Sequence, residues 1–120
     1  MRLLAFLLMI SLGETVLADG DPARGEKRFE ECAACHTLEA GKHNVGPSLK
    51  GVFERISGEA PDFLYSPAMR RAKIKWTPQA LEQFIADPQT MVPANRMPYA
   101  GMPGAADRQD LVAYLLRAAK

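Results

Sequence analysis

The chain has 120 residues, one domain's length, with 48% apolar and 24% charged residues; this excludes a disordered tail, a collagen-like repeat and a polytopic membrane protein. Fifteen basic against fourteen acidic residues leave a net charge of +1, so there is no footprint for nucleic acid and no strong pull toward an anionic membrane. Two cysteines exclude a disulfide-dense scaffold, and two histidines leave little room for a His-rich metal or catalytic site. Residues 1–18 read as a secretory signal peptide: Arg2 is the positive n-region, Leu3 to Leu12 the apolar h-region, and Val16 and Ala18 stand at −3 and −1 before cleavage ahead of Asp19. A membrane span needs roughly 20 apolar residues, and this run meets Gly13 and Glu14 far sooner. Cleavage is therefore expected, leaving residues 19–120 as one domain outside the cytoplasm with no stable membrane insertion. A retained tether is the alternative.

Asp21-Pro22 predicts a first helix, with Asp as N-cap and Pro at the first helical position, running through Cys32–Cys35. Residues 39–67 are punctuated by Gly41, Gly46-Pro47, Gly51, Gly58, Pro61 and Pro67 and read as loop, interrupted by a short helix near 50–54. Another short helix is expected over 67–73. Thr77-Pro78 opens a clearer one through about Ala86, with Leu81, Phe84 and Ile85 on one face. Prolines at 88, 93, 98 and 103 exclude a long helix over 88–104. A last helix, about 105–119, is expected to bury Leu111, Val112, Tyr114, Leu115 and Leu116. No stretch alternates as a strand, so the fold class is all-α. With so much loop, a modest core needs something else at its centre.

Cys32-Ala33-Ala34-Cys35-His36 is C-x-x-C-H, the attachment signature for c-type haem. On a helix, Cys32 and Cys35 stand at i and i+3, so both sulfurs share a face from which they reach two vinyl groups of one haem; His36, at i+4 from Cys32, lies beside it as the proximal iron ligand. Two other readings compete. A thiol redox pair would need depressed thiol pKa values and normally a βαβ context, which is missing. A structural zinc site would need four ligands, and adding His36 and His43 to the cysteines gives no standard spacing. The sixth iron ligand has five candidates: Met69, Met91, Met97, Met102 and His43.

From residue 20 to 119 the chain resembles a class I cytochrome c of the soluble bacterial and mitochondrial type. The resemblance is carried by Gly25 and Phe29 ahead of Cys-Ala-Ala-Cys-His, by Gly46-Pro47-Ser48-Leu49, by Phe63-x-Tyr65 and Ile74-x-Trp76, by Met91 to Gly101, and by Asp110 to Leu115. It implies several helices wrapped around one covalently bound haem, with the first and last helices crossing where Gly25 and Phe29 meet Tyr114 and Leu111. It implies Met97 as the sixth ligand and Pro47 as the carbonyl that accepts the His36 ring N–H. Arg55, Tyr65 and Trp76 resemble the family's partners for the buried haem propionate, and His43 a histidine that bridges two loops.

Departures from the family are also visible. Phe84 stands where a tyrosine often donates to the ligand sulfur, and Met69 replaces a common asparagine. Around Cys32, Lys27, Arg28 and Arg96 oppose Glu30 and Glu31, with an apolar rim expected from Ala33, Tyr99, Ala100 and Met102. The function implied is a monomeric periplasmic electron carrier and not an enzyme. Its iron would cycle between Fe(II) and Fe(III), and its partners would be redox proteins such as a membrane oxidoreductase, a terminal oxidase or a periplasmic dehydrogenase. A haem peroxidase or ligand sensor is the alternative, and would need a labile sixth position.

Overall fold

The computed structural model describes residues 20–120, so the expected signal segment and its cleavage site lie outside the described residues. Among the described residues five α-helices follow in order: α1 (Pro22–Ala33), α2 (Pro67–Ala72), α3 (Pro78–Ala86), α4 (Pro88–Met91) and α5 (Ala105–Ala118), with a 3-10 turn at Val52–Glu54 between α1 and α2. The described residues form no strand, only an isolated bridge between Ile56 and Lys75. The all-α expectation holds. α1 to α4 share one local device. Asp21, Ser66, Thr77 and Asp87 each accept from backbone N–H groups of the first turn, and a proline follows each cap. The side-chain oxygen satisfies donors that lack an intrahelical partner, and the proline gives up an N–H that would have been orphaned there.

Three details differ from expectation. α1 ends at Ala33, so Cys35 and His36 lie in the turn beyond it, where their N–H groups donate to Cys32 O at 3.0 and 2.9 Å. Residues 88–104 hold the four-residue α4, because Asp87-Pro88 starts a new helix as well as ending α3. In α5, Asp110, Leu111, Val112 and Leu115 are buried, whereas Tyr114 is half-buried and Leu116 is 40% exposed. The buried stripe centres on Leu111 and Leu115, and Leu116 lies about 100° further round the helix.

The crossing of α1 and α5 frames the core. A Cβ on Gly25 would overlap the Asp110 carbonyl oxygen and come within 2.8 Å of Tyr114 Cβ, so only glycine lets the two backbones approach this closely. One turn on, Phe29 packs against Tyr114 with ring centroids 5.5 Å apart. Gly25→Ala gains helix propensity but cannot relax a backbone clash. It is expected to cost about 1–3 kcal/mol, the usual range for overpacking, and to lower the thermal midpoint by roughly 10 °C. Circular dichroism melts of the two holoproteins check this.

Asp110 ties the same crossing electrostatically. Its buried carboxylate accepts from Arg24 Nε at 2.9 Å and from the Asp21 N–H at 2.7 Å. The Arg24 guanidinium, then the Asp21 N–H, hold its carboxyl below the usual carboxylate range. A carboxyl depressed in the folded state stabilises fully above its unfolded pKa of about 3.9, and that stability is lost as pH falls through the folded value. Stability should therefore drop below about pH 4, and Asp110→Asn should flatten that acid limb in denaturant titrations across pH.

Candidate functional site

The C-terminal end of α1 opens onto an apolar cavity of about 270 Å³. Cys32, Cys35 and His36 line it from this side, and Val52, Trp76, Leu81, Phe84, Ile85, Leu111 and Leu115 supply apolar surface. Interiors normally hold few voids larger than a water, so a cavity of this size is a built feature.

His36 is fixed by its surroundings. Its Nδ1 lies 2.7 Å from Pro47 O. A carbonyl only accepts, so Nδ1 carries the proton and the Nε2 lone pair is left for a metal. Gly46 lies flat against the imidazole, where any Cβ would overlap Cε1. Burial lowers the His36 pKa, the Pro47 bond partly opposes this, and Arg55 adds to the lowering; the ring is held neutral, as a ligand must be.

The competing readings of the cysteines lose ground here. Burial, Glu31 and Cys35 push the Cys32 thiol up to about 11, the reverse of what a redox thiol needs. Among the described residues no three His, Cys, Asp or Glu side chains gather as a metal site. His43 is engaged elsewhere: its Nδ1 accepts from Ser48 N–H at 3.0 Å, so its Nε2–H donates to Pro61 O at 2.7 Å. That joins two loops, the role the family resemblance implies, and His43 does not line the cavity.

Of the four methionine candidates, Met97 and Met69 line the cavity. Met102 is buried in the protein core, and Met91 packs against that core. The Met97 loop is organised by a residue the sequence reading missed, Asn95. Its Nδ2 donates to Pro88 O and Val92 O, both at 2.9 Å, and its Oδ1 accepts from Met97 N–H at 2.8 Å. Gln89 Nε2 in turn donates to Asn95 O at 3.1 Å. A buried asparagine with its amide this fully used fixes the approach to Met97. The signal was available: an asparagine two residues before the ligand candidate can close an Asx turn onto it.

Arg55, Tyr65 and Trp76 all line the cavity. Arg55 Nη2 donates to Ser48 O at 2.7 Å, leaving further guanidinium donors for an anionic group. The Tyr65 hydroxyl accepts from Ala60 N–H at 3.2 Å, which leaves its own proton to donate. Trp76 is buried against Phe84, ring centroids 5.1 Å apart. Phe84 faces the cavity without a hydroxyl, and Met69 also lines it, as the departures from the family anticipated.

At the rim, the Tyr99 hydroxyl donates to Glu31 Oε2 at 2.8 Å. Partial burial and then the Glu31 carboxylate raise the phenol's pKa, keeping it protonated. The expected rim needs two corrections. Met102 is only 4% exposed, because its N–H bonds Ile85 O at 2.7 Å and draws it into the core. Arg28 pairs with Asp107 at 3.0 Å and is not a free cation beside Cys32.

An imidazole nitrogen, two thioethers, two thiols and a largely apolar wall with a few polar donors suit a haem. A hard cation would require oxygen ligands that the cavity does not gather. Comparison with known proteins agrees. The family model for cytochrome c matches residues 22–119. The chain is 41% identical over 102 residues to a cytochrome c2 of Agrobacterium tumefaciens (strain II Chrys), covering 82% of this chain and 92% of the relative. It is 43% identical over 97 residues to the cytochrome c2 of Rhodoblastus acidophilus, covering 80% and 91%. It is 44% identical over 101 residues to the cytochrome c of Chlamydomonas reinhardtii, covering 82% and 90%. The chain therefore belongs to the cytochrome c family, as a class I monohaem electron carrier with one covalently attached c-type haem.

Proposed function

We propose that this protein is a periplasmic electron carrier in which Cys32 and Cys35 would hold the haem by thioether bonds and His36 and Met97 would supply the two protein ligands to its iron. The observation that carries the reading is the His36 Nδ1–Pro47 O bond in the same cavity that Met97 and both cysteines line. The haem, when bound, supplies a one-electron Fe(II)/Fe(III) couple. The chain's own residues do the rest. Pro47 and Gly46 orient the imidazole, and Asn95 holds the Met97 backbone. Arg55, Tyr65 and Trp76 line the cavity with donors for a propionate. A thioether is a weak ligand, so its carrier must be held in place by the fold. A filled sixth position leaves no room for a substrate, and the protein is not an enzyme.

Residues 1–18 are the export signal, cleaved before Asp19, and the carrier works as a monomer with redox proteins outside the cytoplasm. No helix among the described residues is long and apolar enough to cross a membrane. Intact-mass measurement of protein from an exporting host, after acid–acetone treatment, tests the attachment and the cleavage together. The expected species begins at Asp19 and keeps one haem. Loss of haem on extraction contradicts the thioether assignment, and a mass that includes residues 1–18 contradicts cleavage.

A further inference from the structure

The loop that carries Met97 is tied down at both ends. Asn95 anchors its start to Val92 and Pro88. Its far end is held by Met102 N–H on Ile85 O and by Arg108 Nη1, which donates to Met102 O and Pro103 O at 2.8 Å each. Between these anchors lie Arg96 to Gly101. Among the described residues, the one side-chain hydrogen bond from this stretch to another element is Tyr99 Oη–H to Glu31 Oε2, across a sequence separation of 68. Glu31 directly precedes Cys32 on α1, so the bond joins the ligand loop to the helix end that carries the attachment motif. The carboxylate makes the bond charge-assisted.

We propose that the Tyr99–Glu31 hydrogen bond is a latch that closes the Met97 loop over the cavity rim, making Tyr99 and Glu31 positioning residues for the sixth ligand. This rests on the His36/Met97 reading. The phenol ring lines the cavity, and its hydroxyl adds a directional tie from the loop to the end of α1. Opening the latch lets the loop swing away from the iron without disturbing Asn95 or Arg108. Because the bond is exposed, its effect is modest, in the range of an ordinary hydrogen bond.

The test is an imidazole titration of the ferric holoprotein, following loss of the far-red Met–iron charge-transfer band. Tyr99→Phe and Glu31→Ala are each expected to bind imidazole about fivefold more tightly than the parent, as expected for the loss of one such bond. The double variant should bind no more tightly than either single one, because one bond is lost in all three. Glu31→Gln, which keeps an acceptor, should fall between the parent and Glu31→Ala. Affinities within twofold of the parent for both single variants, or effects that multiply in the double variant, overturn the latch. Absence of the far-red band from the parent itself overturns the ligation reading instead, so the two failures are distinct.

Discussion

Met97→Ala should abolish the far-red Met–iron band and lower the reduction potential by on the order of a tenth of a volt or more, a fraction of the roughly 0.8 V span that axial ligands command. The direction follows from ligand chemistry: Met/His ligation raises the potential, and replacing the thioether by water or a harder donor favours Fe(III). Met91→Ala and Met102→Ala should retain the band, since neither side chain lines the cavity. Met69→Leu is the sharper control, because Met69 does line it. If Met69→Leu removes the band and Met97→Ala leaves it, the ligand has been assigned to the wrong loop. Voltammetry of the variants immobilised on an electrode supplies the potentials.

The second large effect concerns folding. Cys32→Ala/Cys35→Ala protein made without haem should show little cooperative unfolding. The apolar residues that line the cavity, Val52, Trp76, Leu81, Phe84, Ile85, Leu111 and Leu115, are also members of the core. Without the cofactor these side chains face a void and lose packing partners on one side. A chain of this size buries only a modest core, so its margin without a filler is small. Far-UV circular dichroism and a thermal melt decide the point. A sharp transition in this apoprotein would show that the helices pack without the haem.

The helices were legible because their punctuation is local. Asp21-Pro22, Ser66-Pro67 and Thr77-Pro78 announce their N-termini by cap and proline chemistry that acts within one turn. The Asp-Pro pair at 87–88 both ends α3 and caps α4, and a run of prolines over 88–104 does not distinguish a four-residue helix from loop. The end of α1 has no local mark, because residues 33–36 carry no Gly or Pro. There the two N–H groups that share Cys32 O turn the chain toward Gly46, whose N–H donates to Cys35 O from eleven residues further along the sequence.

The site divides the same way. C-x-x-C-H is a contiguous motif, and the resemblance supplied Pro47 and Met97. Excluding Met91 and Met102 from the cavity required tertiary packing, since all three lie in one proline-rich stretch with equal chemistry. Tyr99 and Glu31 are 68 residues apart, and nothing local to either signals the other. Leu116 fits a helical stripe in sequence, yet only the placement of α5 against α1 decides which side of the stripe is covered.

The most direct measurement is the optical spectrum of the reduced, purified protein before and after carbon monoxide is added. An electron carrier with His36 and Met97 both bound should give a low-spin spectrum that carbon monoxide leaves unchanged over minutes. Prompt formation of a carbon monoxide complex would mean an open or labile sixth position, and would turn the reading from electron carrier to ligand sensor or peroxidase.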